Sequence, residues 1–238
     1  MEAMYRKISK DIYEKINTGV YKQGSTIPTE FELAEMYQVS RPTIRQAVQL
    51  LVDDGYLEKR KKRGTIVCAP KIRQNFVQTI ANFESEAVKN GFHSKTTVLS
   101  FKKEKPNIEV STQLHLNPSD MVYKLVRLRY IDQQPNVIVT TYVPWSLYPD
   151  LEKEDMTTKS LYDYFEECKN PIYRMERKME TIKADATAAD LLDIDQADPM
   201  FYFHSVGFDR QNRRIEYSIS KYRGDTNYFS FQLFSDKV

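Results

Sequence analysis

The strongest constraint on this 238-residue chain lies between residues 29 and 67, where two short capped helices run into a pair of strands joined by five consecutive cations. Thr29 stands where an N-cap belongs, and Glu32 three residues on completes a capping box, in which two otherwise orphaned backbone donors are satisfied reciprocally. Leu33, Ala34, Met36 and Tyr37 supply the buried side of this helix. After Gln38-Val39, Ser40 caps a further helix that tolerates Pro42 in its first turn, where a missing N–H costs nothing. Ile44, Ala47, Val48, Leu51 and Val52 fall on one face of it, and Gly55 ends it. Upstream, Tyr5, Ile8, Ile12 and Ile16 recur at helical spacing, so residues 4 to about 18 form an amphipathic helix stopped by Gly19. Two short helices with a tight turn between them predict a helix-turn-helix.

The face of the third helix away from its apolar stripe carries Arg45 and Gln49, and its first turn adds Ser40, Arg41 and Thr43. Alone, this is an ordinary solvated face. A recognition helix, however, enters the major groove by its N-terminal end, where arginine pairs with guanine and free N–H groups hold phosphate. The adjoining hairpin favours that second reading. Tyr56–Glu58 and Thr65–Val67 read as strands joined by Lys59, Arg60, Lys61, Lys62, Arg63 and Gly64. Five adjacent cations repel one another in water and become favourable beside a polyanion, whose counterions they release. Gly64 gives the tip access to positive φ. A basic hairpin directly after such a helix is a wing, with Lys61, Lys62, Arg63, Gly64 and Thr65 as its candidate contacts.

Charge is distributed to match. Residues 1–75 hold fourteen Lys/Arg and nine Asp/Glu, whereas the rest of the chain holds twenty-one and twenty-four, within a formal net charge of +2. The front end therefore suits an anionic partner that the remainder does not. No apolar run approaches the roughly 18 residues of a membrane span, and the charged N-terminus lacks a signal-peptide apolar region, so a cytoplasmic location is expected. Cys68 and Cys168 are far apart, and His93, His115 and His204 are scattered, leaving little from which to build a metal site. No metal and no cofactor is expected.

The string IPTEFELAEMYQVSRPTIRQAVQLLVDDGYLEKRKKRGTIV resembles the DNA-binding domain of GntR-type bacterial regulators, with Pro-Thr-Glu, Leu-Ala, Val-Ser-Arg, Thr-Ile-Arg and a Gly-tipped wing in family order. The resemblance implies that Arg41, Thr43 and Arg45 contact DNA, with Ser40, Gly64 and Thr65 beside them. One departure is Phe31, where the family often carries a polar or arginine residue that touches phosphate. Phe31 has no polar group for that contact and is expected to pack under the first helix instead.

Residues 71–78 read as a linker between a winged helix-turn-helix domain (1–70) and a second domain (79–238). Helical patterns over 79–90, 108–115, 160–168 and 186–192 alternate with strand patterns near 94–103, 121–132, 136–143, 172–184, 199–209 and 214–223. This predicts an α+β domain with an antiparallel sheet. The motifs RLRYIDQQP, TTYVP, SLYDYF and RIEYSISKYRGD resemble the UTRA effector domain of the HutC branch, a fold similar to chorismate lyase that binds effectors without turning them over.

Arg127 and Arg129 alternate on one strand and share a sheet face. Spacing alone fits two exposed arginines paired with surface carboxylates. The resemblance instead implies an anion-binding pair suited to bidentate recognition of phosphate or carboxylate. Glu216, Ser218, Ser220 and Tyr222 also share a face, which spacing alone leaves as a solvent face. In relatives the Glu and Tyr of this motif meet the ligand, so Glu216, Ser218 and Tyr222 are candidates. Asn82 and Phe83 lie where relatives place residues near the phosphate, although Glu84 would oppose an anion there. Ser160 is a further candidate, though capping of its helix alone would explain it. Val139 occupies a position at which relatives often carry an acid, which argues against importing any one relative's ligand.

These features leave two functions open. One is a homodimeric repressor that reads a palindromic DNA operator and is released by a small anionic metabolite, with a sugar phosphate favoured. The other is an enzyme of chorismate-lyase-like fold with a DNA-binding appendage, for which Glu176, Glu180 and Asp185 are the available acids. Nothing in the sequence makes those three converge, and no nucleophile or nucleotide-binding motif accompanies them.

Overall fold

The computed structural model describes residues 3–60, 63–68, 72–74, 83–89 and 92–231. The chain divides into two compact units, Met1–Ile72 and Arg73–Val238.

In the first unit, apolar residues one turn apart decide which helix faces are covered. Ile8 and Ile12 are buried on α1 (Met4–Asn17), Leu33 on α2 (Glu30–Tyr37), and Ile44, Ala47, Val48 and Leu51 on α3 (Arg41–Asp53). They form one core with Leu57 of β1 (Leu57–Arg60) and Val67 of β2 (Gly64–Val67). The capping box is present in full: Glu32 Oε2 accepts from Thr29 N at 2.7 Å, and Thr29 Oγ1 accepts from Glu32 N at 3.3 Å. Lys15 and Tyr37 join across α1 and α2, with Lys15 Nζ 2.8 Å from Asp11 Oδ2 and 3.1 Å from the Tyr37 hydroxyl, which itself donates to Asp11.

Three expectations for this unit are corrected. Met36 is 58% exposed, because a two-turn helix shows the core a stripe too narrow for a fourth apolar side chain. Phe31 is 56% exposed in the first turn of α2 and does not pack under α1. Ser40 occupies the N-cap position of α3, but its side chain makes no capping bond. Pro42 has no N–H to offer, and the Thr43 N–H already donates to the Ser40 carbonyl at 3.0 Å. The Ser40 hydroxyl bonds Thr43 Oγ1 instead, at 2.8 Å.

The second unit is built on a six-stranded antiparallel sheet in the order β4-β5-β6-β9-β8-β7. Its strands are β4 (Ser94–Glu104), β5 (Val122–Ile131), β6 (Gln134–Pro144), β7 (Arg174–Lys183), β8 (Pro199–Phe208) and β9 (Arg214–Arg223). Short β3 (Ile72–Gln74) is paired with β10 (Asn227–Phe229). The helices are α4 (Phe83–Lys89), α5 (Ile108–Leu114), α6 (Leu161–Glu167) and α7 (Ala186–Leu192). α4 is what is described of the helix expected over 79–90; residues 79–82 and 90 lie outside the described residues.

Helices cover the sheet on both faces, which explains the near-continuous burial of β6. On one face, Val110 and Leu114 of α5 meet Val122, Tyr142 and Tyr217, while Ala188, Ala189 and Leu192 of α7 meet Leu128, Ile138 and Met200. On the other, Leu161, Tyr164 and Phe165 of α6 pack with Tyr123, Leu125, Val143 and Ile215. Between α6 and the sheet the apolar packing gives way to a polar cavity.

Candidate functional site

Two sites were expected, and each lies within one unit. In the first, Arg41 and Arg45 are exposed on α3, with Arg45 to one side of the buried stripe. Gln49 is also exposed and donates to Asp53 Oδ1 at 2.8 Å. The hairpin pairs Leu57 with Val67 and Arg60 with Gly64, and Gly64 takes φ +86°, the left-handed region that glycine enters at no steric cost. β2 is held on its other edge by the segment before α2: Ile27 N donates to Thr65 O at 2.9 Å, and Val67 N to Ser25 O at 2.8 Å. Lys61 and Lys62 lie outside the described residues, whereas Arg63 is exposed.

The premise that the hairpin cations have no partner except a polyanion is corrected for two of them. Arg60 Nη2 is 2.9 Å from Glu58 Oε2, and Lys59 Nζ is 3.1 Å from Glu30 Oε1. The second oxygen of Glu30 accepts from Arg45 Nε at 3.2 Å. Burial alone would raise the Glu30 carboxyl, but the hydrogen bonds from Lys59 and Arg45 hold it below the ordinary carboxylate value.

In the second unit, Arg127, Arg129, Glu216, Ser218, Tyr222, Ser160 and Phe83 line one cavity of about 60 Å³, and Asn82 lies outside the described residues. An adjoining recess shares Phe83, Arg127, Arg129 and Ser160 and adds Thr157, Thr158, Lys159 and Glu84. Sheet register creates the cavity wall. Arg127 stands opposite Val139, which pairs with Ser220, which pairs with Phe203. One rung along, Thr141, Ser218, Ser205 and Arg177 follow one another across β6, β9, β8 and β7. Gly207 stands opposite Glu216, where a Cβ would come within 3.1 Å of the Ile172 Cδ1 and 3.4 Å of the Glu216 Cβ.

The solvent-facing alternatives at these positions do not hold. Arg127 is 4% exposed, Glu216 2%, Ser218 6% and Tyr222 6%. Arg127 Nη2 donates to Thr141 Oγ1 at 3.1 Å, but the Nε atoms of Arg127 and Arg129 and Oε2 of Glu216 are buried without a hydrogen-bond partner among the described residues. Burial, then the neighbouring Arg129 charge, pushes Arg127 down to about 9, and burial lowers Arg129 as well. Burial raises Glu216, against the opposing pull of Arg127 and Arg177. The Arg129 guanidinium lies 5.0 Å from the centre of the Phe83 ring, over its face. Ser160 sits at the N-cap of α6 without making a capping bond, so capping does not account for it.

Arg177, Leu161, Tyr162, Phe203 and Ser205 also line the cavity and were not anticipated. Conversely, the acids weighed for catalysis stand apart from the cavity. Glu176 pairs with Arg174 and Glu180 with Lys178 on the edge strand, while Asp185 caps α7 and pairs with Lys221. Among the described residues no group of three or more His, Cys, Asp or Glu side chains is placed to hold a metal, and no helix is long and apolar enough to cross a membrane.

Comparison with known proteins matches both units. The family profile "Bacterial regulatory proteins, gntR family" matches residues 4–67, and the UTRA domain profile matches residues 89–227. The chain is similar to the mannosyl-D-glycerate transport/metabolism system repressor MngR of Escherichia coli (strain K12), 30% identical over 95% of this chain and 94% of that protein. It is similar to the HTH-type transcriptional repressor NagR of Bacillus subtilis (strain 168), 26% identical over 99% and 96%. Among solved structures it is similar to PhnF from Mycobacterium smegmatis, with a TM-score of 0.87 and 27% identity over 98% of this chain and 100% of that one.

Proposed function

Because this chain belongs to the GntR family of bacterial regulatory proteins and carries a UTRA domain, we propose that it is a repressor removed from its DNA operator by a small anionic metabolite. It is not an enzyme: relatives matched over nearly the whole chain are named as repressors. In this reading Arg41, Thr43 and Arg45 meet base edges and adjacent phosphates, with Ser40 beside them. Lys61, Lys62, Arg63, Gly64 and Thr65 follow the backbone. Two copies of the chain reading a palindromic operator would set the half-site spacing, in the cytoplasm where the DNA is.

The observation that carries the effector reading is the Arg127–Arg129 pair, Arg127 buried and Arg129 half-buried, with both Nε atoms buried and unpartnered at the cavity among the described residues. Like charges taken out of water repel and lose hydration unless an anion joins them. Among the described residues lining the cavity, three guanidiniums (Arg127, Arg129 and Arg177) against one carboxylate, Glu216, suit a doubly charged group such as a phosphate monoester. Glu216, Ser218 and Ser220 then accept from or donate to sugar hydroxyls. Two relatives are named for carbohydrate systems, mannosyl-D-glycerate and fructoselysine utilization, which supports a sugar phosphate.

A thermal-shift screen of the full chain against sugar phosphates, inorganic phosphate and metabolic carboxylates tests this. A sugar phosphate that raises Tm in the wild type but not in Arg127→Ala supports the reading. Equal shifts in both chains, or none with any anion, contradict it.

A further inference from the structure

Resting on the reading of Arg45 as a base-contacting residue, we infer that Glu30 is a positioning residue for DNA readout, a carboxylate that locks the recognition-helix arginine to the wing. Glu30 opens α2, yet its two oxygens reach outward to two other elements. Oε2 accepts from Arg45 Nε on α3 at 3.2 Å, and Oε1 accepts from Lys59 Nζ on β1 at 3.1 Å. The side chain of Glu30 is 22% exposed, against 64% for Arg45 and 39% for Lys59, so a sheltered acid holds two exposed cations.

Which atom of Arg45 is held matters. Glu30 engages Nε; among the described residues neither Nη group makes a hydrogen bond, and the side chain is 64% exposed. The Nη groups are donors in the fixed fork that matches guanine O6 and N7. A long arginine side chain otherwise samples many rotamers, and ordering it before binding removes a cost from the specific complex only. The same carboxylate opposes phosphate everywhere on the surface and occupies Lys59. Glu30 thus trades general affinity for discrimination, a trade that neither helix capping nor core packing would produce.

The test uses the full chain and two duplexes: the tightest binder recovered from a random-sequence pool by the wild type, and a scrambled duplex of equal composition. Glu30→Ala should leave affinity for the scrambled duplex equal or higher while lowering the ratio between the two duplexes about tenfold, within the range carried by one bidentate base contact. Glu30→Gln, whose amide oxygen still accepts from Arg45 Nε, should lose less of that ratio. Both variants should steepen the log–log salt dependence by about one unit, because Lys59 is released to phosphate. An unchanged ratio in Glu30→Ala, or a parallel fall on both duplexes, overturns the inference. Arg45→Ala separates the two levels. If it collapses the ratio while Glu30→Ala does not, only the Glu30 inference fails. If it leaves the ratio intact, the assignment of Arg45 to base readout fails, and the inference with it.

Discussion

Glu216 is held in surroundings that cost the fold energy, on the wall of a cavity it shares with Arg127, Arg129 and Arg177. Its folded-state value is raised above the usual 4.5, chiefly by burial. A carboxylate raised in this way destabilises the fold when ionised: the cost is absent below the unfolded-state value and complete above the folded one. Glu216→Gln should therefore raise Tm at neutral pH, and the gain should close as pH falls through the window between the two values. Melts from about pH 4 to about pH 8 measure it; a gain that widens toward acid contradicts this reading of Glu216. The same substitution should weaken the effector-induced Tm shift, since stability and binding draw on the same oxygens in opposite directions. On the DNA side, Arg63 and Arg45 should separate in kind. Arg63→Ala should flatten the salt dependence of binding by about one unit with sequence preference intact, while Arg45→Ala should relax preference.

At the scale of elements, the short helices depend on their ends. α2 has only eight residues and one fully buried side chain, Leu33, so the reciprocal bonds between Thr29 and Glu32 are a large part of what holds it. Thr29→Ala should cost about 0.5–2 kcal/mol in urea unfolding, and a loss indistinguishable from zero would mean that tertiary packing alone sets the helix. This box was legible in the sequence because both partners lie within one turn. The strands of the second unit were legible for a similar reason, since β-branched and aromatic residues at period two mark them locally. Arg177 was not. In RMERKMETIK charged residues recur along the whole strand, as on any solvated edge, and only the pairing of Arg177 with Ser205 on β8 brings it to the cavity. Register between distant strands is a tertiary property, and no short window of sequence contains it. Ser40 illustrates the converse: the residue type suited a cap, but its hydroxyl bonds Thr43 Oγ1 and the Thr43 N–H goes to the Ser40 carbonyl.

The whole molecule joins a DNA-facing unit to a unit in which, among the described residues, the Nε atoms of Arg127 and Arg129 are buried without a hydrogen-bond partner. A ligand shifts such a molecule only by the difference in its affinity for the DNA-competent and DNA-released states; tight binding to both changes nothing. The strain at Arg127 and Arg129 is where that difference can arise, because an anion relieves the repulsion between them. By linkage, an effector that weakens operator binding must bind less tightly to the operator complex by the same factor. The most direct test is an anisotropy titration of the selected duplex with the full chain, in the absence and presence of the sugar phosphate that gives the largest thermal shift, at fixed ionic strength. A metabolite-released repressor should lose at least about tenfold in affinity, or about 1.4 kcal/mol of coupling, in the wild type and nothing in Arg127→Ala. Equal affinity with and without that ligand in the wild type would contradict the proposed function.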